Sequence, residues 1–230
     1  MTATAASHRH FHDELSELKV RLLTMSGEAQ EALEQSVDAL LQRDAAKATD
    51  VINGDTQIDE MELEIEEIVI RLLATQQPMA KDLRLLTAAM KIANDLERVG
   101  DHAVNIAQSA ERLLAHRPIV PEPEIVEMAR QARKMLADAL EAFVRGDPQA
   151  ARAICQRDDS VDALHHSVFR ILLTHMMEDP HIIGAGMDLF LVSRNLERVA
   201  DLATNIAEDV VFLVEGKTIK HHAEEKGARG

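Results

Sequence analysis

The sequence predicts an all-α protein built as two tandem, similar three-helix bundles, six long helices in all. Three observations lead there. Glu97-Arg-Val-Gly-Asp101 and Glu197-Arg-Val-Ala-Asp201 set the same two carboxylates four residues apart, at positions that differ by 100 (197 − 97). The match extends from Leu96 to Ala107 and from Leu196 to Ala207, keeping Ala103/Ala203, Asn105/Asn205 and Ile106/Ile206. A repeat of that length suits a duplicated domain and is too long for a solenoid unit. Apolar residues make up 46% of the 230 but aromatic ones only 2%, with no Trp or Tyr, so the core must be aliphatic and drawn from good helix formers. Finally, apolar residues recur at three-or-four spacing over long stretches, and no segment alternates as a strand would.

The first helix is expected over Phe11–Leu41, where Leu15, Leu18, Leu22, Met25, Ala29, Ala32, Val37 and Leu40 form one stripe. The second runs from Ala45 to Ala74 on Ile58, Met61, Ile65, Ile68 and Leu72, and Pro78 closes it. The third spans Met79 to about Leu114. Then Arg117-Pro-Ile-Val-Pro-Glu-Pro-Glu124 places three prolines in six positions, which excludes a continuous helix and marks a linker at about residues 115–122. The order recurs beyond it as Glu124–Val144, a Gly146-Asp147-Pro148 break, Gln149–Met177 ended by Asp179-Pro180, and Ile182–Val214. Short connections favour antiparallel neighbours, giving one bundle over residues 10–116 and another over 122–216. The polar ends, 1–9 and 217–230, are expected to be mobile tails, and His221-His222 belongs to that tail composition.

Charge and composition narrow the function classes. With 25 basic and 40 acidic residues the net charge is −15, so the average field repels phosphate backbones and anionic lipid heads. No basic run interleaved with aromatics and no glycine-rich phosphate loop offsets that, so direct nucleic-acid binding is not expected. There is no signal-like leader and nothing near the roughly 18 apolar residues of a membrane span, which points to a soluble, cytoplasmic protein. The single Cys155 fits a reducing compartment and reads as a small buried residue. No Ser or Cys stands in the context of a base and an orienting group, so catalysis lacks candidates.

The carboxylates are the informative groups. Residues four apart share a helix face, so Glu97 projects beside Asp101 and Glu197 beside Asp201, a repulsive arrangement that a solvated helix gains nothing by repeating. The second helix of each half adds a pair of the same spacing, Asp55 with Asp59 and Asp158 with Asp162. If these helices are neighbours, four acids converge in each bundle, with Asn105 and Asn205 one turn further along. All-oxygen clusters suit Mg²⁺, Ca²⁺, Mn²⁺ or iron and disfavour zinc. Arg98 and Arg198 lie about 100° round the helix from the glutamates and need not join such a cluster. His102 is matched by Leu202 and reads as a surface or supporting residue. Asp162-Ala-Leu-His165 resembles half of the Glu-x-x-His element of di-iron bundles, but its second half is missing.

The repeated Leu-Glu-Arg-Val-(Gly/Ala)-Asp-x-Ala-x-Asn-Ile-Ala resembles the PhoU family of phosphate-signalling regulators. Gln76-Gln-Pro-Met-Ala-Lys-Asp-Leu-Arg84 is similar to that family's entry to its third helix, and Val214-Glu-Gly216 to its C-terminal finish. The resemblance covers about residues 10–217. It implies tandem three-helix bundles, usually dimeric, with metal clusters held on the acidic faces, here by Asp55, Asp59, Glu97 and Asp101 and by Asp158, Asp162, Glu197 and Asp201. The metal stays open among Fe, Mn, Mg and Zn. It further implies a non-enzymatic adaptor that restrains the phosphate-starvation (Pho) response and phosphate uptake, linking the ATPase PstB of the PstSCAB transporter to the sensor kinase PhoR and reaching the membrane only through these partners. The competing expectation is a carboxylate-bridged metal bundle, a di-iron-type oxidase or a metal store.

Overall fold

The computed structural model describes residues 2–118 and 121–219; of the side chains before Asp13, only that of Phe11 is described. Helix α1 is Thr2–Gln42, α2 Ala45–Gln76, α3 Lys81–Leu114, α4 Pro123–Arg145, α5 Pro148–Cys155, α6 Asp158–Glu178 and α7 Ile183–Glu215, with a 3₁₀ turn at Pro180–Ile182. Among the described residues there is no strand. The expected order of helices is therefore present, with two differences. Helix α1 begins at Thr2 and not at Phe11, because the Ala-rich polar stretch that reads as a tail contains no helix breaker. The helix expected over Gln149–Met177 is two pieces, since the Arg157 N–H bonds to the Ile154 carbonyl at 2.9 Å, a tighter turn than the α-helical one. Within the expected linker residues 119–120, and in the expected C-terminal tail residues 220–230 including His221-His222, lie outside the described residues.

Helix starts repeat as faithfully as the acids. The Asp44 carboxylate accepts from the N–H groups of Ala46 and Lys47 at 2.9 and 3.2 Å, and Asp147, 103 residues on (147 − 44), accepts from Gln149 and Ala150 at 3.0 Å each. Gly146 and Gly216 take positive φ to close α4 and α7, the left-handed cap that glycine adopts without strain.

Helices α1, α2 and α3 pack on one another, as do α4, α5 with α6, and α7, and the two sets join chiefly where α3 lies against α7. Polar contacts step down α3 as they climb α7: Arg84 Nε to the Leu213 carbonyl at 3.1 Å, Lys91 Nζ to Asp209 at 3.1 Å, His102 to Asn195 at 2.9 Å, Arg112 Nε to Asp188 at 2.6 Å. The two third helices are thus antiparallel, and their acidic motifs sit near the middle of the crossing. One continuous aliphatic core runs through both halves, with Leu86, Ile92, Leu96 and Ile106 of α3 and Leu196, Val199 and Ile206 of α7 sealed from solvent. Burying that stripe is what holds two amphipathic helices together.

Candidate functional site

In the first half, α2 and α3 approach closely at Gly100. A Cβ there would stand 3.1 Å from Ile58 Cδ1 and 3.2 Å from Asp55 Oδ1, so the missing side chain is what lets Asp55 lie against α3. Asp55 and Asp59 of α2 consequently face Glu97 and Asp101 of α3. Partial burial, then the charges of Asp101, Glu62, Asp59 and Asp55, push the Glu97 carboxyl up to about 7. Asp55 is raised as well, first by burial and then by Asp59 and Asp101. Glu62 belongs to this group although the motif does not contain it; its carboxylate accepts from Asn94 Nδ2 at 3.3 Å. Its position three residues after Asp59, on the same stripe, is the signal that identifies it. A cleft of about 480 Å³, lined in part by Glu28, Glu31, Asp50, Asp55 and Gly100, opens beside the group.

The second half brings together Asp158 and Asp162 of α6 with Glu197 and Asp201 of α7. Burial, followed by Asp201, Asp162 and Asp159, raises Asp158 to about 6, against a smaller downward pull from Thr204. Asp158 Oδ1 and Thr204 Oγ1 are both buried and lie beside one another, short of full hydrogen-bond geometry. Thr204 replaces Val104 of the first half, and that difference between repeats points to it. Glu197 is raised by burial and by Asp201, and lowered by Arg198. Contrary to the expectation from its place on the helix wheel, Arg198 turns back onto the acids, 2.9 Å from Asp201 and 3.4 Å from Glu197, because its long side chain spans the angle that the backbone imposes. Arg98 instead lies 3.6 Å from Asp95. The first cluster is therefore without a guanidinium of its own, and the second is partly neutralised.

The remaining candidates have structural partners. His102 Nδ1 donates to Asn195 Oδ1, whose amide is oriented by donating in turn to the Leu191 carbonyl, and burial lowers the His102 pKa. His165 hydrogen-bonds Ser193 at 3.1 Å and stacks on Phe190 at 5.5 Å. Neither Asn105 nor Asn205 hydrogen-bonds a carboxylate. Burial, then Glu208, raises the Cys155 thiol to about 11, which keeps it a thiol and a poor nucleophile.

Chemically, each cluster is a set of carboxylates whose partial burial and mutual repulsion raise their affinity for protons. The side chains are not already gathered: among the described residues no three of His, Cys, Asp and Glu stand in a metal-holding arrangement.

A duplicated three-helix bundle with an acidic, cation-attracting face in each half is the class of protein that these features define. The PhoU domain model matches residues 22–110 and 125–210, one match in each bundle. The phosphate-specific transport system accessory protein PhoU homologue of Aquifex aeolicus is 40% identical over 215 residues, covering 93% of this chain and 97% of that protein. The homologue of Pseudomonas aeruginosa is 38% identical over 217 residues, 93% of this chain and 88% of its own. The crystal structure of PhoU from Pseudomonas aeruginosa superposes with a TM-score of 0.86 over 90% of this chain and 100% of that one, at 38% identity. That of the phosphate transport system regulatory protein PhoU from Streptococcus pneumoniae gives 0.85 over 91% and 99%, at 31% identity. The chain belongs to the PhoU family.

Proposed function

We propose that this protein is a negative regulator of the phosphate-starvation response and of phosphate uptake, acting as a non-enzymatic adaptor between the transporter ATPase PstB of PstSCAB and the sensor kinase PhoR. The observation that carries this reading is the doubled acidic motif within a family match that spans nearly the whole chain, to proteins named as phosphate transport accessory or regulatory factors. No helix among the described residues is long and apolar enough to cross a membrane, which agrees with a cytoplasmic adaptor that meets the membrane only through partners. It acts as a homodimer on this reading. When phosphate is plentiful it holds the kinase back from its response regulator. The test is a phosphate-starvation reporter, such as alkaline phosphatase, in phosphate-rich medium. Deleting the gene raises its output and restoring the gene lowers it again; unchanged output in a cell with no second homologue would remove the adaptor reading.

The acidic clusters hold metal in this proposal: Asp55, Asp59, Glu97 and Asp101 in one half, Asp158, Asp162, Glu197 and Asp201 in the other. Support comes from the all-oxygen donor set and the raised Glu97 and Asp158 carboxyls. A bound Fe, Mn, Mg or Zn ion would supply fixed positive charge that cancels the repulsion. Replacing Glu97 with Gln and Asp101 with Asn abolishes metal uptake by the first half, measured by elemental analysis of the purified protein, and undiminished metal would sink the assignment. A second reading is favoured by the absence of a gathered ligand set: the carboxylates are themselves a docking surface for a basic partner. On that reading the same pair of substitutions weakens kinase binding and flattens its salt dependence.

A further inference from the structure

Two clefts open between α1 and α4. One, of about 530 Å³, lies between residues 30–41 of α1 and 126–137 of α4; the other, of about 620 Å³, lies between residues 15–23 of α1 and 143–146 of α4. They are counterparts, because exchanging the two halves of the chain exchanges α1 with α4. Their charges differ. In the smaller cleft every lining cation is held by an acid, Arg133 by Glu34, Arg130 by Glu127 and Lys134 by Asp138. In the larger one Arg145 is paired with Glu141, but Lys19 of α1 and Lys81 of α3 make no ion pair among the described residues, and the lining holds a single carboxylate, Asp82. A positive cleft thus stands on a molecule of net charge −15.

Four helices build it, α1 and α3 from the first bundle and α4 and α7 from the second. Helix α3 begins there while α4 and α7 end there, so the flank of α1 runs on past helix ends and a hollow is left beside it. Arg84 fixes the α7 side by donating from Nε to the Leu213 carbonyl at 3.1 Å, and Gly146 turns the chain away where α4 reaches Val214. The floor is Leu15, Leu85, Phe143 and Leu213, core residues that still show 6% to 9% of their surface. Leu23, Val144 and Val214 add apolar wall at 38% to 59% exposure. Above them Lys19, Lys81 and Arg145 are all exposed. A concavity of this volume, apolar at its base with a few charged groups over it, has the form of a small-molecule site.

We propose that this cleft binds a small amphiphilic organic anion, its hydrocarbon part on Leu15, Leu85, Phe143 and Leu213 and its anionic head met by Lys19 and Lys81. The two unpaired ammonium groups select the sign of the head, and the aliphatic floor selects the body. Inorganic phosphate fits less well, because a hydrated dianion gains nothing from an apolar floor and loses water to reach it. As both bundles line the cleft, a bound molecule would touch the two halves at once. This assignment does not rest on the phosphate reading.

The full chain is titrated with octanoate, and with octanol and octylammonium, which carry the same hydrocarbon on a neutral and a cationic head. Octanoate should bind one to one with a Kd below about 1 mM, at least about tenfold more tightly than either of the others. Lys19→Gln with Lys81→Gln should bring octanoate down to the level of octanol and leave octanol as it was. Leu23→Glu, which sets a carboxylate in the wall, should weaken octanoate about tenfold or more. Arg130→Gln with Lys134→Gln, in the opposite cleft, should change neither. All five positions are exposed, so the helical circular dichroism should be unaltered throughout. Equal binding of the three compounds, an affinity indifferent to the two lysines, or a Kd above about 1 mM would overturn the proposal. So would displacement of octanoate by inorganic phosphate at equal concentration, which would make the lysines a general anion patch. Binding to phosphatidylglycerol vesicles that is lost with the same lysines, while free octanoate is ignored, would assign the face to a membrane instead. A dimer that Leu23→Glu separates in sedimentation would assign it to a second copy.

Discussion

Glu97 shows how one side chain reports on its surroundings. Its carboxyl sits at about 7 because partial burial and four neighbouring acids favour the protonated form. The folded protein therefore holds that proton more tightly than the unfolded chain, whose glutamates titrate near about 4.3. Its contribution to stability is complete below the unfolded pKa and is lost as pH rises through about 7. Glu97→Gln, which cannot ionise, should accordingly gain on the wild type between about pH 5 and about pH 8.5 in chelator-treated protein. Solvent screening at this partly exposed position holds the gain to about 1 kcal/mol or less, or about 2 °C in Tm. A difference in Tm that is flat with pH would refute the account. At this scale the motif acids were legible because their spacing places them on a face and the repeat states it twice. Glu62 and Thr204 lie outside the motif, and the turning back of Arg198 depends on side-chain reach, which no spacing rule encodes.

Helices meet at distances set by their smallest residues, and here the repeat provides its own control. Gly100 faces Ile58 in the first bundle; the matching positions of the second are Ala200 and Val161, a larger residue on one helix and a smaller one on the other. Gly100→Ala gains about 1 kcal/mol of helix propensity but loses about 1–3 kcal/mol by crowding Ile58 and Asp55, for a net destabilisation. Adding Ile58→Val makes room. Urea unfolding of the wild type, the two single variants and the double variant should give a favourable coupling of about 1 kcal/mol, whereas strict additivity would show that the α2–α3 approach is not limited by this contact. Most elements were readable in advance from the apolar stripes and from Pro78, the proline linker and Asp179-Pro180. The interruption between α5 and α6 was not, because Gln156 and Arg157 carry no breaker signal and keep right-handed helical angles; only the hydrogen-bond register changes there. That change opens a new helix start at Asp158, the residue that begins the second acidic face.

Across the whole molecule, the least visible feature in the sequence is the joining of the two bundles, since it depends on pairs such as Lys91 and Asp209 that stand 118 residues apart. Asp209 is 1% exposed, one oxygen held by Lys91 and the other unpartnered, while the ammonium also lies over the Phe212 ring at 5.2 Å. Lys91→Met strands that carboxylate in the core, at a cost of about 2–3 kcal/mol, and should lower Tm by about 6–10 °C. Because the core is continuous, calorimetry should still give one cooperative transition; two separate ones would mean that the bundles unfold independently. The antiparallel crossing of α3 and α7 carries a further meaning. Two equivalent helices that meet head to tail about their repeated motifs form the interface of a symmetric dimer, written into one polypeptide by the proline linker. In a true dimer every substitution strikes both partners at once. Covalent joining releases each copy from the other, and this chain has used that freedom at Ala88 and Asp188, at His102 and Leu202, and at Glu62 and His165, so that a single molecule offers two unlike flanks.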